Sequence, residues 1–364
     1  MKTYRTTFLP PLLALFIMHF TLSIGASASA RTAPWPKAQA ALWQQQHGWL
    51  RGCNFQPSTA INQLEMWQAE TFDPATIDRE LGWASDLGFN CMRVFLHHAA
   101  WEIDRDGFKK RLSQYLDIAQ KHGISTIFVF FDDCWNPTYT TGKQPDPKPG
   151  IHNSGWVRDP GDLLYAKPES QRAPLLALLE TYMKDILTTF KDDLRVALWD
   201  LYNEPGNSKY ENKSLPLVKK VFEWARAVNP SQPLTIGLWK NELTALNKYQ
   251  LANSDIITYH DYKDAPTHQK NIDTLTRQGR PMICTEYMAR HFNSTFQTIM
   301  PMLKRQNIGA FNWGFVSGKT NTIFKWDDPR PTEPEPPLWF HDILRKDGTP
   351  YRQDEIDTIK SLCK

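Results

Sequence analysis

Two glutamates stand where short apolar segments end. Glu204 closes the stretch Val196 to Gly206 (VALWDLYNEPG), and Glu286 closes Pro281 to Glu286 (PMICTE). A carboxylate at the end of a buried strand, beside a carboxamide such as Asn203, is poorly explained by packing alone. Two such carboxylates facing each other can cleave a glycosidic bond. One protonates the leaving oxygen and the other attacks the anomeric carbon, and a separation of about 5–5.5 Å marks the retaining route. The acid needs a raised pKa and the nucleophile a low one. Arg93 follows an apolar run and offers a buried cation that would keep Glu286 ionised. Asn203, next to Glu204, can hydrogen-bond a sugar 2-hydroxyl.

The elements that must carry these residues follow from hydrophobic pattern and punctuation. Strands are expected at Trp49 to Phe55, Phe89 to Leu96, Ser125 to Phe131, Val196 onward, Leu234 to Trp239, Ile256 to Tyr262, Pro281 to Glu286 and Ala310 to Phe315. Continuous apolar runs such as STIFVFF suit strands buried on both faces. Helices are expected from Asp73-Pro74, with an aspartate cap and a first-turn proline, to Gly88, and at Phe108 to His122. Further helices are expected at Leu175 to Phe190, Leu215 to Val228, Thr267 to Gln278, Ser294 to Gln306 and Gln353 to Leu362. Eight strands nearly all separated by helices predict an α/β fold: a single (β/α)8 TIM barrel over residues 49–364. Long loops follow strands three (Asn136 to Pro174) and eight (Lys319 to Pro337). Active-site groups in such barrels sit at the C-terminal strand ends. Glu204 on strand four and Glu286 on strand seven are 82 positions apart, about three βα units of that fold, and lie on roughly opposite sides of the mouth.

Upstream of the barrel, Lys2 and Arg5 precede a mostly apolar run from Leu12 to Ile24, and Ala28-Ser29-Ala30 fits a small-x-small cleavage site. Residues 1–30 are expected to be a secretory signal peptide, and 31–48 an N-terminal extension with a short helix. A secreted or periplasmic protein follows from that. Without Lys2 and Arg5 the formal net charge falls from +3 to +1. So balanced a surface makes no electrostatic case for nucleic acid or an anionic membrane. Five cysteines at irregular spacing do not form a disulfide scaffold, and buried thiols are expected. The chain holds fourteen Trp and twelve Tyr. Such rings suit a core and also suit stacking on sugars. Trp101, Trp135, Trp156, Trp239 and Trp326 all fall at or just beyond strand ends, some to stack on neighbouring sugars and some to pack loops.

The Asn203-Glu204-Pro205 tip, Glu286, His260 and Tyr262 on strand six, Arg93 on strand two and Trp313 on strand eight resemble glycoside hydrolase clan A, most of all family 5, the cellulase- and mannanase-like barrels. The resemblance runs from about Trp49 to Phe315. It implies that Glu204 is the general acid/base and Glu286 the nucleophile, that Arg93 and Tyr262 contact the nucleophile, and that His260 lies near the acid/base. It also implies that Asn203 binds the 2-hydroxyl and that Trp313 forms the floor under the cleaved sugar. One position departs from the family pattern. A histidine is usual at the end of strand three, where this chain reads Asp132-Asp133-Cys134-Trp135. Asp132 would bind a sugar hydroxyl there, with Trp135 beside it, or His97 or His98 would substitute.

The expected function is therefore a secreted, retaining β-glycoside hydrolase acting as a monomer on a β-linked polysaccharide or oligosaccharide. No cofactor or metal is expected. Three other readings are weighed. A transglycosylase would use the same site. A non-catalytic glycan-binding barrel leaves the glutamate pair without a task. A metal-dependent hydrolase would use His97, His98, Asp132, Asp133 and His260, which lack the spacing of a zinc motif. The long loops, with Trp326 on the second, would wall off one end of a cleft.

Overall fold

A computed structural model describes residues 31–165 and 168–363. The segment read as a signal peptide lies outside the described residues. Eight parallel strands make up one sheet: β1 (Arg51–Asn54), β2 (Cys91–Phe95), β3 (Ser125–Asp132), β4 (Val196–Asn203), β5 (Leu234–Thr235), β6 (Ile257–His260), β7 (Met282–Tyr287) and β8 (Gly309–Trp313). Their order is β5-β4-β3-β2-β1-β8-β7-β6. Leu238 closes the ring between β5 and β6: its N–H donates to Thr258 O at 3.0 Å and its carbonyl accepts from His260 N at 2.8 Å. The molecule is the expected (β/α)8 barrel.

β5 is shorter than its apolar run suggests. Beyond Thr235 the backbone is bonded by side chains, with Ile236 N donating to Ser254 Oγ (3.3 Å) and Gln250 Nε2 donating to Gly237 O (2.8 Å). Those partners come from the helix Thr244–Asn253 and its C-cap, which the sequence pattern does not announce because it buries few side chains. The long helix before the fourth strand begins at Glu169 rather than Leu175 and tolerates Pro174 near its start. One hydrogen bond is forgone there, while Leu179, Tyr182, Met183 and Ile186 on the same helix are fully buried. Asp73 caps the helix Pro74–Leu87 and Gly88 ends it at φ 87°, as expected.

The pleat decides what faces the barrel axis. Cys91, Ile127, Leu198, Ile283 and Phe311 form an apolar interior layer toward the N-terminal end. Two residues further along each strand come Arg93, Val129, Asp200, Thr285 and Trp313, so the interior turns polar just below the mouth. Tight closure leaves no room at Gly52, where a Cβ would lie 1.6 Å from Cys91 O. The helix Lys37–His47 caps the opposite end. Trp35, Ala40 and Trp43 pack into the lower interior layer, and Trp35 N donates to Asp255 Oδ1 at 2.6 Å. Trp43→Ala is expected to cost about 3–5 kcal/mol of stability, read as a lower denaturant midpoint with an unchanged slope. Four of the five cysteines, Cys53, Cys91, Cys134 and Cys284, are buried free thiols. Among the described residues no helix is long and apolar enough to cross a membrane.

Candidate active site

Arg93 is the hub. It is fully buried in the middle of β2 and uses every N–H it has. Nη1 donates to Glu286 Oε1 (2.9 Å) and Asn54 Oδ1 (2.7 Å); Nη2 donates to Asp200 Oδ2 (2.8 Å) and Asn203 Oδ1 (2.7 Å); Nε donates to Asp200 Oδ2 (3.0 Å). One cation thus ties β1, β2, β4 and β7 together just below the mouth. Burying it is tolerable because two carboxylates face it and its hydrogen bonds are complete.

Glu286 receives a second hydrogen bond from Tyr262 Oη, at 2.8 Å on Oε2. Glu204 has different neighbours. His260 Nδ1 lies 2.7 Å from Oε1, Cys134 Sγ lies 3.3 Å from Oε2, and Asn207 Nδ2 donates to the same oxygen. His260 Nδ1 is also 3.4 Å from Glu286 Oε2, so the imidazole sits between the two carboxyls. One oxygen of each glutamate and the His260 nitrogen all lie within 4.8 Å of one another.

The backbone that aims Glu204 is strained. Glu204 has φ 44° and Gly206 φ 87°, outside the region most side chains favour. The turn is held from below by Asp133, which accepts from Gly206 N (2.8 Å), Tyr202 Oη (2.7 Å) and Ser214 Oγ (2.5 Å). A Cβ at Gly206 would meet Glu211 O at 2.9 Å.

Burial raises the Glu204 carboxyl, opposed by hydrogen bonds from Cys134 and Asn207. Burial also raises Glu286, with the Glu204 charge adding to it and His260 and Arg93 opposing it. When the pair holds a single proton, Glu204 is the better place for it. Glu286 keeps the guanidinium and the phenol, which favour a carboxylate, whereas Glu204 faces a thiol, an amide and an imidazole. Burial pushes His260 down to about 4, so the imidazole is neutral at neutral pH.

The pair opens into a cavity of about 1240 Å³. Asn203, Tyr262 and Trp313 line its base, and Trp135, Trp239 and Trp326 its walls. Two of the expected substrate-contacting residues are placed elsewhere. Asp132 is buried beneath the cleft, where it accepts from Trp156 Nε1 (2.7 Å), Asn203 Nδ2 (2.9 Å) and Cys134 N (3.0 Å). It orients Asn203 rather than facing a sugar. His97 is fully buried, its Nε2 3.2 Å from Arg158 O and its Nδ1 accepting from Ala99 N. Its neighbour His98 is bonded to Asp159 through Nδ1 (2.5 Å) and to Tyr139 Oη through Nε2 (2.9 Å). Every ring nitrogen of both histidines is engaged, so this cluster ties the loop after β3 to the tip of β2.

Four residues around the pair escaped the sequence reading. Asp200 and Asn54 complete the Arg93 shell, and Asn207 and Cys134 complete that of Glu204. Asp200 had a signal, a charge in the middle of an apolar strand. The others had none, since Asn and Cys near a strand end are ordinary.

Fold and site together define a class: a parallel β/α-barrel enzyme with a carboxylate pair at the C-terminal mouth. Residues 54–318 match the family described as cellulase (glycosyl hydrolase family 5). The chain belongs to glycosyl hydrolase family 5; it is a glycoside hydrolase, and its substrate is a carbohydrate. Solved structures share the fold at low sequence identity. An endo-beta-1,4-mannanase from Thermotoga petrophila is 13% identical with a TM-score of 0.55, covering 88% of this chain and 77% of the other. A GH5_18 variant from Streptomyces cattleya, in complex with Manb1-4GlcNAc, is 11% identical with a TM-score of 0.58, covering 86% and 79%. The exo-beta-1,4-mannosidase Op5Man5 from Opitutaceae bacterium strain TAV5 is 17% identical with a TM-score of 0.56, covering 86% and 59%. No curated protein sequence matches the chain.

Proposed function

We propose that the chain is a retaining β-glycoside hydrolase with Glu286 as nucleophile and Glu204 as general acid/base. The observation that carries this is the closeness of the pair: one oxygen of each carboxyl lies within 4.8 Å of the other, which favours the retaining spacing of about 5–5.5 Å over the about 6.5–9.5 Å that an inverting enzyme needs for its water. Glu286 attacks the anomeric carbon as Glu204 gives its proton to the leaving oxygen. Glu204, now a carboxylate, takes a proton from water, which attacks the same carbon and releases Glu286. Arg93 and Tyr262 hold Glu286 ionised and aimed. Trp313 supports the sugar ring, and Asn203 is the candidate partner for the 2-hydroxyl. Proton NMR of the first product formed tests the reading: a β-anomer is expected, and an α-anomer overturns it.

Activity requires Glu204 protonated and Glu286 ionised, so kcat/KM falls on the acid side as Glu286 gains a proton and on the alkaline side as Glu204 loses one. The Cys134 thiol helps set the alkaline limb. It stabilises the Glu204 carboxylate at 3.3 Å, and burial keeps the thiol itself protonated. Cys134→Ala removes a donor to the charged form, so Glu204 holds its proton to higher pH. The alkaline limb is expected to move up, with the acid limb less affected; Cys134→Ser is expected to restore it. An unmoved limb in Cys134→Ala would show that the thiol only fills space. We also propose export, with cleavage after Ala30. Its support is the basic, apolar and small-residue order of residues 1–30, and N-terminal sequencing of the secreted protein tests it.

A further inference from the structure

The mouth of the barrel is covered over one half and open over the other. The loop after β3 and the loop after β8 bond to each other across β1 and β2. Asn153 N donates to Thr320 O (2.7 Å), Arg330 N to Gly150 O (3.0 Å) and Asn321 Nδ2 to Lys148 O (2.9 Å), and His152 Nδ1 lies 2.7 Å from Phe324 O. The loop after β3 is also seated on the segment after β1, through Asn62 Nδ2 to Gly155 O (2.8 Å) and Gln63 Nε2 to Val157 O (3.1 Å). Lys319 N bonds Ser58 O at 3.1 Å from the other loop. The face this cover turns to the cavity is aromatic. Trp135 stacks on His152 at 5.1 Å, His152 meets Trp326 edge-on at 6.5 Å, and Trp326 meets Tyr262 at 4.9 Å. Buried His152 thus pins the two loops into one wall.

On the other half no such cover exists among the described residues. The cavity leaves the glutamates past Ser208, Trp239 and Lys240 and runs out to Asn247 and Asn271, on the helices Thr244–Asn253 and Ala265–Thr276. Lys240 is exposed, and Trp239 is half-buried with its Nε1 fixed on Pro205 O at 3.1 Å.

The chemistry gives this asymmetry a direction. Resting on the assignment of Glu204 as acid and Glu286 as nucleophile, the leaving oxygen must lie at Glu204, so the leaving group extends beyond it, past Asn207 and Ser208, along the open half. The ring attacked by Glu286 lies over Trp313, between the pair and the Trp135–His152–Trp326 wall. We infer that the cleft is blind on that side and that the enzyme removes single sugars from the non-reducing ends of β-linked oligosaccharides, with the shortened chain leaving along the Trp239 side. Each cycle consumes one water and releases one free sugar with its β configuration retained.

The experiment uses the full chain and reducing-end-labelled β-1,4-linked pentasaccharides of glucose, mannose and xylose. On whichever backbone is cut, the first labelled product is expected to be the tetrasaccharide. A pentasaccharide carrying a bulky O-benzyl group at C4 of its non-reducing sugar is expected to react at least a hundredfold more slowly. Labelled di- and trisaccharides among the first products, or a capped chain cut as fast as a free one, overturn the blind cleft and leave the glutamate assignment standing. Turnover that persists in Glu286→Ala overturns the assignment itself, and the direction drawn from it.

Discussion

Glu286→Ala is expected to lower kcat by about four to six orders of magnitude while leaving the fold intact. The fold survives because Arg93 keeps Asp200 as its charge partner and Asn54 and Asn203 as acceptors. Chemistry fails because no group can form the bond to the anomeric carbon. Azide separates this loss from simple damage. It fits the space of the missing carboxylate, attacks from the same face, and gives a glycosyl azide of inverted configuration. Glu204→Ala is expected to lose a similar factor on substrates with poor leaving groups and much less on a dinitrophenyl glycoside, whose departure needs no proton. There azide attacks the glycosyl-enzyme and gives the retained product. Near-wild-type turnover in either variant, or rescue with the opposite stereochemistry, would remove the roles assigned here.

Replacing Arg93 is the second large effect, and it falls on stability as well as rate. Arg93→Met leaves Asp200 and Glu286 buried without their cation. The cost of stranding such charges is about 3–5 kcal/mol, measured as a loss in denaturant unfolding free energy. The same change lets Glu286 take up a proton at neutral pH, so the acid limb of the rate profile moves upward. Asp200→Asn added to Arg93→Met is expected to recover part of the stability and none of the rate, because it neutralises one stranded charge and does nothing for the nucleophile. Additive losses in this double-mutant cycle would mean that Arg93 and Asp200 do not act as a pair. Arg93→Lys keeps a charge but loses the planar fork that reaches four side chains at once, so it should stand between the two.

Much of this architecture is legible in residue order. Leu215–Val228 and the cap of Pro74–Leu87 are found where pattern and punctuation put them, because capping and amphipathic spacing act over a few residues. The tips carrying Glu204 and Glu286 are legible for the same reason: each is an apolar run broken by polar groups and, at Glu204, by Pro205-Gly206. Errors gather where distant partners decide the outcome. β5 stops at Thr235 because Ser254 and Gln250 take over its backbone. Asp132 turns under the cleft because Trp156, from a loop 24 positions away, donates to it. His97 and His98, read as sugar contacts in one dimension, are turned to backbone groups, Asp159 and Tyr139.

What this chain determined by sequence alone is a barrel with two glutamates at its mouth, since strand periodicity and strand-end chemistry are written locally. Tertiary structure decided how far apart those glutamates stand, which residues share the charge of Arg93, that a thiol touches Glu204, and which half of the mouth is closed. These depend on cross-strand register and on loops that meet across long stretches of chain, as His152 meets Phe324 over 172 positions. No local pattern encodes such a meeting, because the energy that selects it is packing and hydrogen bonding available only once the barrel has closed.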